Sequence, residues 1–247
     1  HPEWIDDQRE KELFLRAGCD QGRIYRVLPV DHSPPQTINL TSLSSSELTS
    51  LLASSNGRTR DLAQQELIYR ADPNIGNLLD QMVTQSSTEM GRLHAMCTLN
   101  GMGTIRFATL QTAVQDPSPT VRRHAIRLCE PLLASSDPNL DQCLKTLSGL
   151  VSDPDPMVRM QLAYTLGEAE GENAASILVS LAQHSVDSPY LRASITSSLN
   201  EENLIAFHTG ITEKTQLSKL YQPIILQMAS RMNRADFIAV VLKHFLE

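Results

Sequence analysis

Beyond residue 44, apolar residues recur at three- and four-residue steps, and the phase resets at short polar breaks. Val121, Ala125, Leu128 and Leu132 form one such stripe, and Val158, Leu162, Tyr164 and Leu166 form another. This spacing predicts amphipathic helices with one buried face. Each stripe is introduced by the same phrase, Asp-Pro-x-Pro-x-Val-Arg, at Asp116–Arg122 and again at Asp153–Arg159. Its prolines lack an amide donor and bias the residue before them away from helix, yet they suit a first helical position. The phrase is therefore a corner that leads into a helix. Ahead of each corner, residues 105–115 and 140–152 carry Leu, Val or Cys at core spacing and predict a preceding helix.

The unit is thus helix, short turn, helix. Looser copies are found at 47–67, 75–99 and 177–199, and Arg60, Arg92, Arg122, Arg159 and Arg192 bring five units into register at steps of 32, 30, 37 and 33 residues. Paired helices at such a period, without strands, predict an all-α solenoid in which no helix pair buries its apolar face alone. The region after residue 200 reads as further helices, with Pro223 starting or kinking one and Asn233 ending one. One turn into the second helix, each Arg is in reach of the Asp of an adjacent corner. Arg60, Arg92, Arg122, Arg159 and Arg192 with Asp116 and Asp153 are thereby expected to form a structural ladder.

Residues 1–40 carry no repeat. The segment GRIYRVLPV (22–30) predicts a strand that pairs with LFLRAG (13–18) as a hairpin, and DHSPPQ (31–36) reads as a linker. The expected division is an extended N-terminal arm over 1–40 and a helical repeat domain over 41–247. The absent initiator Met leads us to expect a mature or excised piece of a longer chain, and no run of roughly 18–20 apolar residues suits a membrane span.

Composition fits this picture. Hydrophobic residues make up 41% and aromatics only 4%, a balance suited to packed helices rather than to a sandwich or barrel. A formal charge of −7 disfavours sequence-independent binding to nucleic acid, which needs clustered Lys and Arg.

The Asp-Pro-x-Pro-x-Val-Arg corner and its Ala- and Leu-rich helix resemble a HEAT repeat of the bacterial type, over residues 44 to about 200. A longer likeness runs through HPEWI, LRAGCDQGRIYRVLP, TINLTSLSSSELTSLLASSNGRTRDLAQQEL and GRLHAMCTLNGMG. These resemble the stretch joining two modules in large bacterial membrane-bound dehydrogenase-like proteins. There, a propeller similar to the sorbosone and glucose dehydrogenases ends in a GRIYRV-type strand, a HEAT array follows, and a haem-c domain often closes the chain. The resemblance implies that residues 1–30 are the last fragment of a propeller blade and that the parent is an exported, periplasmic, redox-linked protein. It carries over no catalytic or cofactor residue, and no CxxCH is present to hold haem.

Candidate chemistry is sparse, and no cofactor or metal is expected. His94 and Cys97, three apart on one helix, make two ligands of a metal site that needs more. Cys129 and Cys143 are read as free buried thiols, with a disulfide as the alternative. The run EAEGEN (168–173) lacks the pattern of a calcium loop, and Gly171 is expected to end the preceding helix. The Ser clusters at 44–46 and 54–56 read as caps and loops. What remains is a surface: Arg92, His94, Arg123, His124 and Gln161 are the candidates for a protein-binding face, with a partner protein or neighbouring domain as occupant. The reading is a non-catalytic, armadillo-like scaffold or spacer. Its rivals are a lyase-like helper of HEAT type and a helical-repeat nucleic-acid binder.

Overall fold

The computed structural model describes residues 38–246 apart from Ser135, together with a few isolated positions before residue 38. The hairpin expected at 13–30 lies outside the described residues. The chain divides into two compact units, His1–Asn39 and Leu40–Glu247, and the repeat helices lie in the second.

Thirteen α-helices run through it: α1 (Ser45–Leu51), α2 (Gly57–Arg70), α3 (Gly76–Gln85), α4 (Glu89–Gly101), α5 (Phe107–Ala113), α6 (Pro119–Leu128), α7 (Leu140–Ser148), α8 (Pro156–Leu166), α9 (Glu172–Ala182), α10 (Pro189–Ser197), α11 (Leu204–Thr212), α12 (Thr215–Arg231) and α13 (Ala235–Leu246). Among the described residues there is no strand, and no helix is long and apolar enough to cross a membrane.

Helices alternate between two layers. The odd helices α1 to α13 pack each against the next odd one, and the even helices α2 to α10 do likewise, while α1–α2, α3–α4, α5–α6, α8–α9 and α9–α10 pack across the layers. At the C-terminal end α12 packs against α11 and α13. This is an all-α, HEAT-like solenoid.

Local chemistry sets the boundaries. Ser44 caps α1 in a reciprocal capping box with Glu47, and Asn56, Thr88, Asp155 and Ser188 each accept from a backbone amide at the start of the next helix. Prolines 119, 156 and 189 open α6, α8 and α10, where the missing donor is not needed. Gly171 does not end α8 but precedes α9 as its cap, at φ +86°, a conformation that favours glycine; α8 has already stopped at Leu166. Pro223 lies inside α12 with no break, and Asn233, at φ 54°, follows its end.

The core runs as one cluster along the stack. Counting from the repeat Arg, the third position onward is Ala63, Ala95, Ala125, Leu162 and Ile195, all fully buried. The three alanines leave room for α2, α4 and α6 to approach closely, and the closer fit is filled by larger side chains further on. Gly91 and Gly101 mark close approaches. A Cβ at Gly91 would come within 3.2 Å of Ala53 Cβ of the preceding unit, and one at Gly101 within 2.4 Å of Ile68 Cδ1 of α2. Two stripe residues differ from the sequence expectation. Tyr164 is 46% exposed rather than in the core, and Leu132 sits in a 3-10 turn, Glu130–Leu133, beyond the end of α6. That turn occupies the longer insert between α6 and α7, which accounts for the 37-residue step.

Candidate interaction face and its ladder

The repeat arginines fix the even helices to the corners. Arg92 grips Asp116 with both edges of its guanidinium, Nε to Oδ2 at 2.6 Å and Nη2 to Oδ1 at 2.9 Å, and its Nη1 donates to the Ser86 carbonyl of its own corner at 2.9 Å. Arg122 repeats the arrangement one unit on, with Asp153 at 2.7 and 2.8 Å and the Asp116 carbonyl at 2.8 Å. Each Arg therefore holds its own corner by the carbonyl and the next corner by the carboxylate. The same carboxylates accept from Ser118 N–H and Asp155 N–H, which closes the turn. Bidentate charge-assisted pairs of this kind are the strong ones, and the side chains are only 4–12% exposed. The bonded carboxylates hold both guanidinium pKa values above their usual level.

Three of the five arginines lack the acid. Arg60, Arg159 and Arg192 keep the carbonyl contacts, to Ser54, to Asp153 and Pro154, and to Ser185 and Val186. But Ser86 and Val186 stand where Arg60 and Arg159 would find a carboxylate, and the Nε of both arginines is buried without a partner. Ser86→Asp is expected to complete the first rung, since the new carboxylate also faces the Thr88 amide. A hydrogen bond to a charged group adds about 1.5–3 kcal/mol. Chemical denaturation should show a higher midpoint than the parent, and an unchanged midpoint in Arg60→Ala, Ser86→Asp would confirm that the gain runs through Arg60.

Around this ladder the even helices expose a regular face. Relative to the repeat Arg, positions −2, +1 and +5 lie on one side of a helix and are partly or fully exposed, with Leu93 and Met160 also packed against the core. They read Met90, Leu93 and Cys97 on α4; Thr120, Arg123 and Arg127 on α6; Met157, Met160 and Tyr164 on α8; and Tyr190, Ala193 and Ser197 on α10. Met157 is 49%, Tyr164 46% and Tyr190 73% exposed. Arg127 is close enough to Cys97 to act on its thiol, whose pKa burial raises and the cation partly offsets. A groove of about 220 Å³ opens between the starts of α6 and α8, lined by Pro119, Thr120, Arg123, Asp155 and Met157.

The sequence candidates distribute unevenly over this face. Arg123 is half-exposed upon it. Arg92 is not free, its guanidinium being locked in the ladder. His94 is half-buried and its Nδ1 pairs with Gln64 Oε1 at 2.6 Å, while Gln161 lies beside Thr165 and Glu130 at 3.2 and 3.5 Å. His124 is half-buried with Nδ1 unpartnered. Apolar periodicity does not single out Met157, Met160, Tyr164 and Tyr190, because it groups Tyr164 with the core stripe; the register signal that finds them is alignment of the helices on their Arg.

Both histidines are held below the usual imidazole pKa, His94 by burial and the Arg60 charge, His124 by burial and the charges of Arg127 and Arg123. The unfolded chain therefore binds protons that the folded one refuses. Stability contributed by neutral His94 and His124 is present above pH 6.5 and is lost as pH falls below it. The thermal midpoint should decline from pH 7.5 to 5.5, and less steeply in the double variant His94→Gln, His124→Gln.

The remaining chemistry is sparse. Among the described residues no three His, Cys, Asp or Glu side chains converge to hold a metal ion. Cys129 and Cys143 are free and share a hydrogen bond, which with burial pushes the Cys129 thiol up. The grooves are open: one of about 580 Å³ between α9 and α11 is lined by Glu172, Asn173, Val179 and Glu202 among others, and none of these pairs a nucleophile with a base.

Residues 107–200 match the family of HEAT repeats. This stretch is a HEAT-repeat segment. It spans α5 to α10, the three pairs that contain both complete Asp-Pro corners and the Asp-Ser-Pro corner after them. No curated protein matches the chain. HEAT repeats commonly mediate protein interactions, which suits a face built on a rigid ladder.

Proposed function

We propose that this chain is a non-catalytic interaction scaffold whose partner docks on the exposed face of the even helices. The observation that carries this reading is the composition of that face. Met157, Met160, Tyr164 and Tyr190 stand beside Arg123 and Arg127, and Met, Tyr and Arg are the residues enriched where protein interfaces hold their binding energy. The backbone under them is fixed by the bidentate rungs at Asp116 and Asp153, so the face meets a partner with little ordering cost.

The division into an N-terminal arm, 1–40, and a repeat domain, 41–247, fits a spacer between other modules. Its likeness to the dehydrogenase-like proteins suggests an exported, redox-linked parent, with a neighbouring domain of the same chain as the first candidate partner.

Photocrosslinking tests the reading. A benzoylphenylalanine at Met160 or Tyr164 should give a discrete crosslinked species in cells, identified by mass spectrometry, whereas the same group at Leu78 or Gln142 on the odd helices should not. Crosslinks confined to the odd helices, or none at all, contradict it.

A further inference from the structure

We infer that the partner presents an acidic segment with apolar side chains, seated across α6 and α8. This rests on the docking reading above and adds the chemistry of the occupant.

Helix α6 carries an unrelieved repulsion on its exposed side. Arg123 and Arg127 are four residues apart and therefore neighbours on one helical face, an arrangement of like charges that destabilises a helix. Among the described residues neither has an ion-pair partner, whereas Arg92 and Arg122 on the inner side are fully engaged. His124 follows Arg123 on the same helix, with one ring nitrogen buried and unbonded. The chain as a whole carries a formal charge of −7, so this cluster of positive charge stands out against its own surroundings. No fold contact explains it. A carboxylate placed between the two guanidiniums would relieve the repulsion and gain two charge-assisted bonds.

The flanks specify the rest of the occupant. Met157, Met160 and Tyr164 stand on the next even helix at the register positions of Thr120, Arg123 and Arg127. Packed helices lie about 8–10 Å apart. Asp155 also lines the groove, its carboxylate already taken up by the Met157 and Val158 amides that it caps. A segment crossing from α6 to α8 thus passes from cations, past that capped carboxylate, to thioether and aromatic surface within one or two residues. The groove beside Arg123 and Met157, about 220 Å³, takes a single partner side chain. Charge complementarity therefore selects a peptide in which Glu or Asp alternates with Leu or Phe. A bare polyanion would leave the α8 flank uncovered, and a basic peptide would meet the arginines.

Fluorescence anisotropy with the full chain tests this. The probes are labelled peptides of roughly twelve residues, long enough to span two helices, with Glu alternating with Leu, Lys alternating with Leu, or Ser alternating with Leu, and Glu alone. The Glu/Leu peptide should bind with Kd in the micromolar range, on the order of 10 μM or tighter. Arg123→Glu, Arg127→Glu should weaken it by about tenfold or more, and so should raising salt from about 0.05 to about 0.5 M. Tyr164→Ala should weaken it too, while Arg58→Glu on α2 should not. Circular dichroism of each variant guards against unfolding, and Arg123→Gln, Arg127→Gln gives a milder change with the same sign.

Equal binding of the Lys/Leu or Ser/Leu peptide overturns the acidic assignment and leaves the docking face standing. Equal binding of the all-Glu peptide overturns the α8 flank. If no peptide binds while Tyr164 still crosslinks to a partner in cells, the acidic assignment alone is wrong.

Discussion

Replacing Asp153 by Ala is expected to destabilise the chain by about 3–5 kcal/mol, the range for removing one partner of a buried ion pair. The reason is what remains. Arg122, 12% exposed, would keep its guanidinium beneath α8 with the Nε and Nη2 donors at 2.7 and 2.8 Å suddenly unmet, and the Asp155 amide would lose its acceptor. Urea unfolding followed by circular dichroism measures the loss. Asp153→Asn separates the contributions. It can still accept from the Asp155 amide and so should cost clearly less, while Arg122→Ala, Asp153→Ala should cost less than the sum of the single changes because neither variant side chain strands the other. An additive pair would show that the rung carries no coupling.

The second large effect is expected at the C-terminal end. Phe207 of α11 is fully buried and meets Tyr221 of α12 edge to face at 5.2 Å, and the Tyr221 hydroxyl is 2.8 Å from Ser185 Oγ at the corner between α9 and α10. Phe207→Ala should cost about 3–5 kcal/mol, from lost burial and the cavity left behind. In a stack whose units touch only their neighbours, that loss stays local. Hydrogen exchange should therefore show α11–α13 opening ahead of the rest, with the amides of α5–α8 still protected. Uniform loss of protection along the chain would mean that the units are not energetically separable.

How much of this was legible in the sequence follows from where the signal is spaced. Asp116, Asp153 and their arginines spell the corners outright, because proline, capping and ion pairing all demand particular residue types there. The helix pairs are legible for the same reason. The missing rungs are legible only in retrospect, since Ser86 and Val186 look like ordinary loop residues until the arginines are aligned. Tyr164 shows the limit of reading by period. Its place in an apolar run suggests the core, but Leu162, Ala163 and Leu166 already fill the inward side of α8, and the tyrosine is turned outward. Arg92, expected both in the ladder and on the binding face, is a rung of the ladder and not free on the face. The docking face depends on which helices lie side by side, and only the fold supplies that.

The central claim is that the core exists only between neighbouring helix pairs. Circular dichroism on two fragments tests it most directly: residues 138–168, which hold the single pair α7–α8, and residues 107–200, which hold three pairs. Since about three stacked repeats are needed before any is stable, the single pair should show little helix and no cooperative thermal transition, whereas the three-pair fragment should be helical and melt in one sharp step. A lone α7–α8 pair that folds and melts cooperatively by itself would contradict the account.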